Sequence, residues 1–208
     1  MRVVLLLLLV CAAACARNDA EGQTGSGTGS TARRDDTERE QARFDSERRP
    51  EEVVKALGIT NGSRVADVGA GAGLLTIHLA RAVKPNGRVV ATDIDSGVLE
   101  LMHSRLQVAG LADYVERRVV GADTPGLETG AYDAILLAEV DHYFSDEVEW
   151  LKSATLALKP GGRIVISNRI HHRQKSMAAA TKAGLEVLTE STPVPTHFIA
   201  VFVVPKAK

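Results

Sequence analysis

From Pro50 onward the chain alternates short β-branched runs with longer amphipathic ones, and that alternation constrains the fold more than any other feature. "RVADVG", "GRVVATDI", "YVERRVVG", "AYDAILLAEV", "GRIVISN", "LEVLTES" and "HFIAVFVV" have the length and composition of strands. "LLTIHLARAV", "SGVLELMHSRLQVAG", "SDEVEWLKSATLAL" and "QKSMAAATKAG" carry helical spacing. "PEEVVKALGI" opens the series with proline at the first helical position and acids in its first turn. Ser96 and Ser145 are the expected N-caps of the two middle helices, Gly110 closes the first of them, and "KPGG" is expected to turn the chain into the fifth strand. Strands separated by helices demand right-handed crossovers and a parallel sheet covered on both faces. The last two strands have no helix between them, so they can only add as an antiparallel pair at one edge. The expected fold class is α/β: a doubly wound seven-stranded sheet, mostly parallel, with an antiparallel C-terminal strand pair.

Of the 208 residues 45 % are hydrophobic and only 4 % aromatic, so the core must be mostly aliphatic. A net charge of -1 supplies no electrostatic reason to expect nucleic acid as a partner. The only cysteines are Cys11 and Cys15, which leaves the domain no internal disulfide, thiolate metal site or cysteine nucleophile. "MRVVLLLLLVCAAAC" has the short apolar core of an export signal and is too short for a membrane span. Its ending resembles the lipobox of bacterial lipoproteins, although Ala12 stands where leucine is commonest. That resemblance implies a lipidated Cys15, membrane contact through it, and a place at the cell envelope facing the periplasm. Release after an Ala-x-Ala cleavage, or a cytoplasmic protein whose signal is not used, are the alternatives. "EGQTGSGTGSTA" has no apolar residue to order it and reads as a tether, and "RRDDTEREQARFDSERR" as a solvated helix ending before Pro50. The expected organisation is a signal over 1–15, a linker over 16–49 and a folded domain over 50–208.

In a doubly wound sheet the ligand lies beyond the carboxyl ends of the strands, beside the first one. Gly69, Gly71 and Gly73 fall in that first strand-to-helix turn, where a missing Cβ lets backbone approach a ligand closely. A dinucleotide fingerprint would place the third glycine at position 74, which is leucine; the pattern here is G-x-G-x-G. The segment "VADVGAGAG" resembles motif I of class I S-adenosylmethionine-dependent methyltransferases, which are Rossmann-like, and the ubiquinone-biosynthesis methyltransferases are of this kind. "VVATDID", "AYDAILLAEV" and "LALKPGGRIVIS" follow in the family's order.

The resemblance implies a cofactor, S-adenosyl-L-methionine, and a set of residues that hold it. The turn of Gly69, Ala70, Gly71 and Gly73 would embrace the amino-acid part, and Asp67 would orient its amino group. Asp93 would accept both ribose hydroxyls, a role suited to a carboxylate facing a vicinal diol. Ile94 would pack on the adenine, and Asp123 falls near the acid that contacts the adenine amino group. Glu139, Asp141, His142 and Tyr143 sit where the family places acceptor-facing residues, Glu139 also counting among the cofactor-binding residues, and His142 is the candidate general base because its ordinary pKa lies near neutrality. His171 and His172 follow the fifth strand; on an extended segment they would point to opposite sides, a poor geometry for a shared metal, and a solvated basic loop is expected. Trp150 reads as core, and His78 and His103 carry no functional signal. With only a short connection after the fifth strand, the acceptor side is expected to be open or lidded by the N-terminal helices alone.

The expected activity is methyl transfer to an acceptor that nothing in the sequence identifies, a small molecule being the expectation. The alternative is a catalytically weak or inactive cofactor-binding scaffold of the same fold anchored at the envelope. Its motive is compartment, since the cofactor is made in the cytosol and the N-terminus points outward. A nucleotide-dependent oxidoreductase is disfavoured by the position of the third glycine.

Overall fold

The computed structural model describes residues 28–206. The export-type signal, Cys15 and the first part of the Gly/Ser/Thr run lie outside the described residues. Among the described residues no helix is long and apolar enough to cross a membrane.

Seven strands form one sheet: β1 (Arg64–Val68), β2 (Arg88–Asp93), β3 (Val115–Val119), β4 (Tyr132–Ala138), β5 (Leu158–Arg169), β6 (Glu186–Val194) and β7 (His197–Val203). Their order is β3-β2-β1-β4-β5-β7-β6. The first five pair in parallel, and β7 runs antiparallel to both β5 and β6. The expected antiparallel pair is present, with β7 inserted between β5 and β6. Helices α2 (Pro50–Leu57), α3 (Thr76–Val83) and α4 (Ser96–Val108) bury Leu57, Leu79 and Leu106 on one face. Helices α5 (Glu147–Thr155) and α6 (Arg173–Lys182) cover the other, where Trp150, Leu151 and Ala180 meet Phe198 and Phe202. Successive residues of the central strands feed opposite cores: Ala134 and Leu136 of β4 face the first, Ile135 and Leu137 the second. Both faces are therefore apolar, which is why β4 reads as an unbroken hydrophobic run.

The chain lays β1, β2 and β3 outward in one direction, then returns to place β4 on the other side of β1. That reversal opens a crevice beyond the carboxyl ends of β1 and β4.

Two local expectations are corrected. The "KPGG" segment lies inside β5 and does not precede it; the β4–β5 register shift between Tyr132 and Ala134 absorbs it. The caps of α4 and α5 are Asp95 and Asp146, each one residue away from the serines expected. A carboxylate accepts more readily than a hydroxyl that must also place its own proton. The helix expected before Pro50 is present as α1 (Thr28–Arg48), and its residues from Thr37 onward belong to the compact unit Thr37–Lys208. Polar clips hold that part of α1, and so no hydrophobic pattern announces it. Gln41 donates to the Leu74 carbonyl at 3.0 Å, Asp45 meets His78 at 2.8 Å, and Glu40 pairs with Arg105 at 2.6 Å. Phe44 adds one apolar contact with the first core.

Asp95 accepts from the Gly97 and Val98 amides at 2.7 and 3.3 Å. In denaturant unfolding, Asp95→Ala should cost about 1 kcal/mol and Ser96→Ala less than about 0.5 kcal/mol. The reverse ranking would return the cap to Ser96.

Candidate functional site

The glycine turn that leaves β1 has three positive φ angles, 66° at Gly69, 55° at Gly71 and 80° at Gly73. A Cβ at Gly69 would stand 2.6 Å from Val140, and one at Gly73 would stand 2.4 Å from Met102. A Cβ at Gly71 would meet nothing within 4 Å. The outer glycines thus let the turn press against the scaffold, and the middle one faces open space. Gly71 donates its amide to Asp93 at 2.9 Å, and the other Asp93 oxygen accepts the Asp95 amide at 3.1 Å. The end of β2 therefore holds the glycine turn and the entry to α4 with one carboxylate. Each of its oxygens retains acceptor capacity for a further donor.

Two cavities flank this turn. The larger, about 260 Å³, is lined by Asp93, Ile94, Val120, Tyr143, Phe144 and Trp150, among others. Ile94 is 64 % exposed there, an apolar side chain set beside a carboxylate and ready to be covered. Trp150 is core, as expected, stacked on Phe144 with ring centroids 4.3 Å apart, and it also walls this cavity. The smaller, about 160 Å³, is lined by Asp67, Gly71, Leu75, Ala138 and two residues of α1, Phe44 and Arg48. Both cavities share Gly69 and Glu139. Asp67 is buried and accepts the Thr76 hydroxyl at 2.7 Å. Burial pushes its carboxyl up to about 6, with the Thr76 bond opposing and the Asp93 charge adding.

Glu139 joins the two cavities from the end of β4. Its φ is 54°, unusual for a side chain of this size. Its carboxylate meets Arg48 at 2.6 Å, Arg169 at 3.0 Å and His197 at 3.0 Å. Burial alone would raise this group, but the three partners outweigh it and bring it down to about 2. Asp123 is placed elsewhere than the resemblance implied. Its carboxylate accepts the Ser145 amide at 2.8 Å, which holds it low. Its neighbours Ala122 and Thr124 line the larger cavity; Asp123 does not.

A third cavity, about 290 Å³ and mostly polar, also borders Glu139 and is lined by His142, Tyr143, Arg169, His171 and His172. The two adjacent histidines were expected on an extended segment, facing opposite ways. They stand in a 3-10 turn, Ile170–His172, which brings both rings to one side with centroids 4.1 Å apart. His172 also stacks on His142 at 4.1 Å. Burial, with the neighbouring rings of His142 and His171, pulls the His172 pKa down. Among the described residues no group of His, Cys, Asp and Glu could hold a metal.

The structure brings Asp67, the glycine turn, Asp93, Ile94, Glu139 and His142 together around one crevice. It adds Arg48, Arg169, His197 and Asn168, which sequence reasoning missed. The signal was weak for each. Arg48 ends a helix of uniform polarity, Arg169 and Asn168 close a strand, and His197 opens another, so only the pairing of β5 with β7 makes Arg169 and His197 neighbours. His78, given no role, is structural: it clips α1 to α3.

Residues 66–164 match the family model described as a methyltransferase domain. The ubiquinone/menaquinone biosynthesis C-methyltransferase UbiE of Pseudomonas putida is 29 % identical over 131 residues, 63 % of this chain and 51 % of that protein. The chain thus spans about half the length of the curated relatives it matches. Among solved structures, a SAM-dependent methyltransferase from Aquifex aeolicus aligns with a TM-score of 0.71 at 22 % identity, covering 76 % of this chain and 91 % of that one. Geranyl diphosphate C-methyltransferase from Streptomyces coelicolor, in complex with S-adenosyl-L-homocysteine, aligns with a TM-score of 0.63 at 16 % identity, covering 74 % and 77 %.

The two glycines make a contrasting pair. Gly73→Ala, which drives a Cβ into Met102 and strains a positive φ, should destabilise the fold by about 2–4 kcal/mol. Gly71→Ala carries only the backbone strain, about 1 kcal/mol, and places its methyl group in the space a ligand would use. Thermal unfolding separates the two; equal losses would mean that the turn is not anchored on Met102.

Asp67 supplies a pH dependence. Its ordinary value is 3.8 and its folded value about 6, so the folded state holds the proton more tightly. Its contribution to stability is full below about pH 4 and is lost as pH rises through about 6. Asp67→Asn keeps an acceptor for Thr76 and removes the buried charge. It should flatten that part of the stability–pH curve and raise stability at pH 8 by about 1–2 kcal/mol. A curve unchanged between pH 4 and 7 would contradict the assignment.

Proposed function

We propose that the chain transfers a methyl group from S-adenosyl-L-methionine to a small-molecule acceptor, a reading supported by the match of residues 66–164 to a methyltransferase-domain model and by the shared fold. The observation that carries this reading is the pair of cavities astride Gly69, with Asp93 in one and Asp67 in the other. A ligand with a diol-bearing nucleoside at one end and a zwitterion at the other matches that division. Asp93 takes the ribose hydroxyls beside its bond to Gly71, and Ile94 covers the adenine. Asp67 faces the amino group, whose positive charge suits a buried carboxylate, and Arg48 is the cation available to the carboxylate of the same moiety. Bound there, the cofactor supplies an already activated methyl group. The protein's remaining task is to align an acceptor in the third cavity and keep water from the transfer.

The size of that third cavity, about 290 Å³, suits a small acceptor better than a polymer. We infer that the N-terminal segment sets where the acceptor is met, at the envelope if Cys15 is lipidated.

Calorimetry on the full chain with S-adenosylmethionine, S-adenosylhomocysteine and NAD tests the reading. The first two should bind and NAD should not. Asp93→Ala should weaken binding by at least about tenfold, since it removes charge-assisted acceptors from the ribose and frees the glycine turn. Unchanged affinity in that variant, or preference for NAD, would overturn it.

A further inference from the structure

The third cavity has a wall whose hydrogen-bond polarity can be worked out atom by atom. Asn168, at the end of β5, is fully buried. Its Oδ1 accepts the Arg169 amide at 2.7 Å, and its Nδ2 donates to Asp141 Oδ1 at 2.6 Å. Those two contacts fix the amide's orientation, because the reversed amide would set N–H against N–H and oxygen against carboxylate oxygen. The Asp141 carboxylate is itself buried and is bonded on its other oxygen by the Ser176 hydroxyl. The remaining Nδ2 hydrogen of Asn168 is directed to His142 Nδ1 at 3.0 Å. A ring nitrogen that faces an N–H donor must be the unprotonated one. The neutral His142 ring therefore carries its proton on Nε2, the nitrogen left without a partner among the described residues.

We propose that Asn168 is a positioning residue that holds His142 in the Nε2–H tautomer, so that His142 offers the acceptor a donor and not a base. This rests on the methyl-transfer reading above and narrows its substrate class to an acidic oxygen acceptor, a carboxylate or an acidic phenol, bound as its anion. Arg169 supports the same polarity. Its side chain is 63 % exposed at the cavity, and among the described residues only its Nε is engaged, by Glu139. Glu139 does not repel an anion, because Arg48, Arg169 and His197 surround its charge. In the transfer step, a lone pair on the acceptor oxyanion forms the O–CH₃ bond. The C–S bond breaks with its electron pair passing to sulfur, which becomes a neutral thioether. The two opposite charges cancel, and no proton leaves during the step because the acceptor lost its own to solvent before binding. A base at His142 is then unnecessary, and a fixed donor orients the oxyanion.

Histidine-15N-labelled full-length protein reports the tautomer directly through two-bond ring correlations near neutral pH. The His142 signals are identified by their loss in His142→Gln. We expect the Nε2–H pattern in the wild type, collapsing towards a tautomer mixture in Asn168→Ala; an Nδ1–H pattern, or one unmoved in Asn168→Ala, would overturn the proposal. The wild-type spectrum alone decides the first point if that variant does not fold. This measurement needs no cofactor, so its failure is distinct from a failure to bind S-adenosylmethionine. As a probe of acceptor class, benzoate should bind the protein saturated with S-adenosylhomocysteine at least about tenfold more tightly than benzamide. His142→Ala should reduce that ratio to within about threefold. Equal affinity for benzoate and benzamide in the wild type would also overturn it.

Discussion

The site rests on one carboxylate. Asp93 ends β2, beside β1 in the sheet, and its two oxygens tie down Gly71 in the turn that leaves β1 and Asp95 at the head of α4. Without an acceptor there, the Gly71 amide would have to find another partner in a turn with three positive φ angles. The parallel register of β1 and β2 brings that acceptor close, pairing Val68 with Thr92 just before each chain leaves the sheet. The neighbouring backbone bond from Ala70 to the Thr92 carbonyl, at 3.0 Å, completes the clamp. A glycine pattern that could belong to several ligands thereby becomes a turn of one shape, with open space only at Gly71.

Glu139 does for the other half of the crevice what Asp93 does for the first. It gathers Arg48 from α1, Arg169 from β5 and His197 from β7 around one half-buried carboxylate. β5 and β7 meet through their pairing in the sheet, whereas α1 joins them here through the polar Arg48–Glu139 contact. An acid held low by three partners keeps its charge throughout the physiological range, so the Glu139 end of the Arg48 pair stays ionised there. The unusual φ at Glu139 is consistent with that duty, since strain of this kind persists where surrounding contacts over-determine a residue.

How much of this was legible in the sequence followed from the physics of each signal. Hydrophobic periodicity is written in the chain wherever an element buries apolar surface, and so the sheet, its helices and the antiparallel pair could all be read. The glycine turn and Asp93 were legible because few residues can do what they do. The cap residues were misread by one position, since Asp and Ser stand side by side at both helix starts and either type can cap. The helix α1 was expected, but the docking of its compact part was not, for a different reason. It is held by Glu40, Gln41, Asp45 and Arg48 through polar contacts, and a polar helix that docks has the same composition as one that does not. The turn that gathers His171 and His172 depends on the chain's course after β5, which no local pattern encodes.

The placement of buried charge shows where stability has been conceded. Among the described residues the buried charged side chains are Asp67, Arg105, Asp141 and Glu147, and the first three hold the glycine turn or the wall beneath His142. Arg105 holds the Ala72 carbonyl of the glycine turn at 3.0 Å, and Asp67 lies beneath that turn. Asp141 supports Asn168 beneath His142, and burial with the Asp141 charge raises the pKa of Glu147 beside it. Among the described residues neither Glu147 oxygen has a hydrogen-bond partner; Lys175, at 3.6 Å, only partly offsets its burial. At that position an apolar residue of similar volume would make a more stable protein. The other three are bonded to named partners around the crevice, and polar groups fixed in place before a ligand arrives need no reorganisation when it does.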